Sequence, residues 1–121
     1  MKTILLVEDD PDIRKLVGVV LRKEGYEVIE AEHGEQALEV LGEMRGNPCL
    51  VLLDLMMPVM SGPELLKVLH DTHRLAALPV VVLSAGGEPS DAPQAQHFVR
   101  KPAAPGVLLA LVREFCGSPA E

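Results

Sequence analysis

The sequence predicts an α/β fold in which a parallel sheet carries helices on both faces. Short, nearly continuous apolar runs rich in β-branched residues recur along the chain, as in TILLV (3–7) and PVVVLS (79–84), the pattern of strands covered on both sides. Between these runs the apolar residues change to helical spacing, and strands that alternate with helices at this interval belong to a parallel sheet.

The first strand, 3–7, ends at Glu8. Ile13, Leu16, Val17, Val20 and Leu21 then recur at helical spacing, with Asp10 placed to cap, Pro11 in the tolerated first turn and Gly25 beyond the last. EVIEA (27–31) is a second strand and precedes a helix carrying Ala37, Leu38, Leu41 and Met44. CLVLLD (49–54) is a third; Pro58 and Gly62 turn the chain into a helix carrying Leu65, Val68 and Leu69. PVVVLS is the fourth strand, HFVRK (97–101) the fifth, and GVLLALVREF (106–115) the closing helix. The segment AGGEPSDAPQAQ (85–96) holds two Gly and two Pro and no apolar stripe, so a loop or at most one turn is expected where a fourth helix would fall.

With 121 residues the chain fits one domain, 1–121, able to bury a core without metal or disulfide staples, and no output domain is expected within it. Tyr26, Phe98 and Phe115 are the only aromatics, so the core is aliphatic. A formal charge of -7 argues against direct nucleic-acid binding, which needs clustered Lys and Arg. MKTILLVEDD is too short for a signal-peptide core and no apolar run approaches a membrane span; the expected compartment is the cytoplasm. Cys49 and Cys116 lie far apart and match no metal-ligand spacing, so reduced thiols are expected. His33, His70, His73 and His97 form no ligand cluster and read as surface residues. Met56, Met57 and Met60 read as flexible apolar filling.

Chemistry in such sheets gathers outside the carboxyl ends of the strands. There the sequence sets Glu8 and Asp9, Asp54, Ser84, and Lys101 followed by Pro102. Asp54 sits in the apolar run VLLDLMMPVM (51–60), and burying a lone carboxylate there requires a compensating charge. Three carboxylates at close range raise one another's pKa unless a cation joins them. Mg²⁺ suits the site, because it accepts a few oxygen ligands, keeps waters and commonly shares itself with a phosphate. Lys101 and Ser84 would then meet phosphoryl oxygens, and Asp54 would be the nucleophile. Asp10, just before Pro11, is better read as the helix cap than as a fourth site acid.

ILLVEDDPDIRKLV, LLDLMMPVMSGPELL, VVVLSA and FVRKP together resemble the response-regulator receiver domain of two-component signalling, the CheY-like family, over essentially the whole chain. The resemblance implies a flavodoxin-like, doubly wound, five-stranded parallel sheet of order 2-1-3-4-5. It implies Asp54 as phosphoacceptor, Glu8, Asp9 and the Met56 backbone carbonyl as Mg²⁺ ligands, Ser84 and Lys101 as phosphoryl contacts, Phe98 as a switch aromatic and a cis bond before Pro102. A histidine kinase or phosphotransfer protein would be the donor, and an unidentified downstream protein the reader.

The chain departs from the family between Ser84 and Lys101, where it is several residues short. The loop from Gly86 to Gln96 is expected to order on phosphorylation or partner binding, and the last helix, with Val107, Leu108, Leu109, Leu111, Val112 and Phe115, offers a face for a homodimer or another partner. A receiver-like adaptor that works without phosphorylation is the alternative reading. A phosphohydrolase is a weaker one, for want of a substrate pocket or a dedicated general acid, and no enzyme activity is expected.

Overall fold

The structure is a computed structural model and describes residues 2–54, 62–71, 78–86, 88–92, 95–101 and 104–119. Its elements are β1 (Thr3–Val7), α1 (Pro11–Lys23), β2 (Glu27–Ala31), α2 (Gly34–Glu43), β3 (Leu50–Asp54), α3 (Gly62–Asp71), β4 (Val80–Ser84), β5 (His97–Arg100) and α4 (Pro105–Cys116). The strands form one five-stranded sheet, order β2-β1-β3-β4-β5, and every neighbouring pair is parallel.

Alternation along the strands sorts the core into two layers. Leu5, Val7, Val51, Leu53, Val80 and Val82 face α2 and α3 through Ala37, Leu41, Leu65, Leu66 and Leu69. Ile4, Leu6, Leu50, Leu52, Val81 and Leu83 face α1 and α4 through Leu21, Leu108 and Val112. Both faces of the central strands are covered, which is why their sequences are apolar at every position rather than at alternate ones.

Local chemistry sets the element ends. Asp10 Oδ1 accepts from the backbone N–H of Asp12 at 2.9 Å and of Ile13 at 3.3 Å, and Pro11 occupies the first turn, so the cap expected of Asp10 is present. Gly25 has φ 104°, a left-handed conformation that lets the chain leave α1 and enter β2 without strain. Among the described residues between β4 and β5, one 3₁₀ turn, Pro89–Asp91, stands where a fourth helix would fall. Asp91 Oδ2 accepts from the Glu88 N–H at 2.8 Å, and Ala92 is buried on the α2/α3 side of the sheet.

Two expectations are corrected. Cys49 and Cys116 form a disulfide, with Cα atoms 5.3 Å apart across a sequence separation of 67 residues. The last turn of α4 packs against the amino end of β3, a proximity that linear spacing does not encode. His33 is also not an idle surface residue: its Nδ1 accepts from the Gln36 N–H at 3.1 Å and caps α2. His97 is exposed, as expected, with its ring edge-on to Phe115 at 5.9 Å. The His70 side chain and His73 lie outside the described residues.

The wide apolar face of α4 is mostly spent within the molecule. Leu108, Val112 and Cys116 are buried and Leu109, Leu111 and Phe115 half-buried, while Val107 is exposed.

Candidate functional site

β1 and β3 lie side by side, yet the helix that follows β1 packs on one face of the sheet and the helix that follows β3 on the other. A crevice opens outside strand ends that part in this way. The register places Val7 beside Leu53, so Glu8 and Asp54 emerge together; Asp54 is opposite Leu83, one residue before Ser84, and Lys101 directly follows Arg100 at the end of β5.

Glu8, Asp9 and Asp54 each present a carboxylate oxygen within 4.8 Å of the others. Glu8 is 3% exposed and Asp54 6%, whereas Asp9 is exposed. The Lys101 ammonium, on a side chain 13% exposed, pairs closely with Glu8 Oε1 and lies 3.8 Å from Asp54 Oδ1. Burial pushes the Asp54 carboxyl up to about 7, and its hydrogen bond with Asp9 and the charge of Glu8 add to the rise against the opposing Lys101. Burial works on Asp9 in the same sense, but hydrogen bonds with Asp54 and Glu8 and the Lys101 charge outweigh it and hold Asp9 below the usual carboxylate range. One ammonium therefore faces three acids, and Asp54 is the carboxyl of the cluster whose proton is held up to about 7.

Ser84 is fully buried at the same edge, its Oγ accepting from the Gly86 N–H at 3.3 Å, while its carbonyl accepts from the Lys101 N–H at 3.0 Å. Phe98 is half-buried against the α2/α3 side of the core, with the Arg100 guanidinium 5.2 Å from its ring centre. Met56 and Pro102, and with them the expected carbonyl ligand and cis bond, lie outside the described residues.

Sequence reasoning missed Arg14. From α1 its Nη1 donates to the Glu8 carbonyl at 2.9 Å, and its guanidinium is held by Glu30 at 3.4 Å and Glu32 at 3.8 Å. It fixes the peptide that carries both Glu8 and Asp9. The signal was an arginine one turn into α1, with alternate acids at 30 and 32 on the neighbouring strand end.

A hard divalent cation fits this donor set: three carboxylates supply oxygen ligands and more negative charge than Lys101 offsets.

The chain matches the family model of the response regulator receiver domain over residues 4–113. It is 37% identical over 117 residues to the phosphate regulon transcriptional regulatory protein PhoB of Pseudomonas aeruginosa, covering 93% of this chain and 50% of that one. The chain spans about half the length of the curated relatives it matches. Among solved structures it resembles the Thermotoga maritima response regulator TrrA in complex with Mg²⁺ and BeF (TM-score 0.84, 33% identity, 95% of this chain and 99% of that one). It also resembles the receiver domain of the sensor histidine kinase PA1611 from Pseudomonas aeruginosa, with a magnesium ion in its active-site cleft (TM-score 0.87, 25% identity, 97% and 98% covered).

Proposed function

We propose, for a chain that belongs to the response regulator receiver domain family of two-component signalling, that Asp54 accepts a phosphoryl group from a histidine kinase or phosphotransfer protein and that this changes the surface read by a downstream partner. The observation that carries the reading is the meeting of buried Asp54 with Glu8, Asp9 and the Lys101 ammonium at the carboxyl end of the sheet. Receiver domains are signalling modules, and no turnover of an external substrate is proposed.

In this reading an Asp54 carboxylate oxygen attacks phosphorus; the new O–P bond forms as the P–N bond to the donor histidine breaks, and the bonding pair leaves with the imidazole nitrogen. Asp54 attacks as the carboxylate, and a positive partner beside it favours that form against the rise that burial and the neighbouring acids impose. Glu8 and Asp9, with the Met56 carbonyl, would hold Mg²⁺. Bound there, Mg²⁺ supplies charge neutralisation for the acids and for the phosphoryl oxygens. Lys101 turns from Glu8 toward the transferred group, and the Ser84 hydroxyl donates to a phosphoryl oxygen, so charge developing on the phosphoryl group meets positioned donors. Phe98, in β5 three residues before Lys101, is the proposed aromatic that follows the change.

The proposed compartment is the cytoplasm, in keeping with the family, and direct nucleic-acid contact by this chain is not part of the reading. Among the described residues no helix is long and apolar enough to cross a membrane. Val107 on α4, with Leu16 and Val19 on α1, leaves apolar area on that side of the sheet for a partner or a second copy.

The test is intact mass after brief exposure to acetyl phosphate and Mg²⁺, beside Asp54→Asn and an EDTA control. A single phosphate adduct that needs both Asp54 and the metal is expected. The single turn between β4 and β5 favours one other reading, a constitutive adaptor. No adduct, together with Mg²⁺ binding that beryllofluoride does not tighten, would favour that adaptor.

A further inference from the structure

The Cys49–Cys116 disulfide lies at the opposite end of β3 from Asp54 and takes no part in phosphoryl chemistry. We propose that it is a reversible redox site, opened by a small dithiol and closed by a disulfide of the glutathione class, that releases and refastens the last turn of α4.

The first argument is reach. Cys116 is buried in the α1/α4 layer, whereas Cys49, one residue before β3, is half-buried, so a thiolate arriving from solvent meets the Cys49 sulfur first. Attack there forms a mixed disulfide and expels the Cys116 sulfur as a thiolate, which takes a proton. The second thiol of the reductant then displaces Cys49. The protein disulfide has gained two electrons and two protons to become two thiols, and the dithiol has become a disulfide. Closure runs the exchange backwards with glutathione disulfide as oxidant and two glutathione thiols as products.

The second argument is that the fold does not depend on the bond. The Tyr26 hydroxyl donates to the Gly117 carbonyl at 2.7 Å, the Gly117 N–H donates to the Arg113 carbonyl at 2.8 Å, and Arg113 pairs with Glu24 at 3.1 Å. Val112 and Leu108 are buried one and two turns before Cys116 in α4. When the cross-link opens, buried Leu108 and Val112 keep α4 on the sheet, while the turn beyond them is left to these few polar bonds, which open locally far more readily than a covalent link. In reducing compartments a disulfide of this kind is typically a sensing or catalytic one rather than a permanent staple.

The full chain is equilibrated in glutathione buffers of graded thiol-to-disulfide ratio, quenched by alkylation and weighed intact, with amide exchange measured on both end states. Cys49 and Cys116 are expected to change together in one two-electron transition, independent of protein concentration. Amides of 113–119 should exchange on the order of tenfold faster in the reduced form, with the central strands unchanged. Free thiols at every ratio, a lasting glutathione adduct on Cys49, or a bond that resists excess dithiothreitol under native conditions would overturn the proposal. Cys49→Ser should exchange like the reduced protein at all ratios; slow exchange of 113–119 in that variant would remove the release step. None of these readouts depends on phosphorylation of Asp54.

Discussion

Lys101 leans on Glu8 rather than on Asp54: its ammonium pairs closely with Glu8 Oε1 while Asp54 Oδ1 stands 3.8 Å away. Without a bound cation the lysine thus neutralises the acid at the end of β1 and only partly serves the residue proposed to be phosphorylated. Any charge brought to Asp54 competes for the same ammonium.

Removing that ammonium leaves Glu8 buried without its counter-ion, with the Asp10 N–H on Oε2 as a neutral partner. Lys101→Ala is expected to lose roughly 3 kcal/mol of stability in EDTA, the scale for breaking a buried pair on one side. Added Mg²⁺ should restore more stability to this variant than to the parent, because the cation takes over the neutralising role. Denaturant unfolding with and without Mg²⁺ measures both differences.

The proton on Asp54 gives metal-free stability a definite pH dependence. The folded carboxyl, raised to about 7 from 3.8, binds its proton more tightly than the unfolded one. Its contribution is therefore fully present below the unfolded value and is lost as pH rises toward 7, with a slope of at most about 1.4 kcal/mol per pH unit. Glu8, Asp9 and Lys101 face it; the lowered Asp9 acts in the opposite sense, but in the acid range. Asp54→Asn should flatten the profile between pH 4 and 7 in EDTA. An unchanged slope in unfolding curves of that variant would show that Asp54 does not carry it.

Asp10 stands beside the site acids but holds α1. Asp10→Ala should cost about 1 kcal/mol through the lost cap, measured by thermal or denaturant unfolding. Labelling by acetyl phosphate should persist in this variant, whereas a loss like that of Asp54→Asn would return Asp10 to the site.

Opening the disulfide frees a long loop in the unfolded chain. Across 67 residues the chain-entropy model gives about 4 kcal/mol, and delivered values usually fall short of it. Reduction, or Cys49→Ser, is therefore expected to lower the melting temperature by on the order of 10 °C while the cooperative transition survives. Calorimetry of the oxidised and reduced chain checks it.

Much of this protein is legible in the order of its residues, for reasons particular to each. The strand ends were readable because fully buried strands are apolar throughout, so Glu8, Asp54 and Ser84 stand out as the first polar residues at or beyond the run. Asp10 before Pro11 announces a cap through local geometry alone. The single turn at 89–91 followed from Gly and Pro content. Arg14 and Cys116 were misread or missed because their partners are brought by tertiary packing: Glu30 arrives from a neighbouring strand, and Cys49 meets Cys116 only when α4 lies back along β3. His33 differs again. Its capping bond is local, but histidine is an uncommon residue for that position, so its type gave no signal.

Taken as a piece of statics, β3 and α4 are two rails lying against each other and fastened at one end. At one end the tie is covalent, between Cys49 and Cys116; at the other, Asp54 closes β3 and Lys101, three residues before the capping Ala104 of α4, lies 3.8 Å from it while pairing with Glu8. β3 is buried along its whole length and paired on both sides, the surroundings of a strand that opens only with the whole fold. If both proposals hold, the two inputs meet on one helix: the bond at Cys116 would govern whether the far end of α4 is fastened to β3 when the phosphorylation site at the other end of that strand changes.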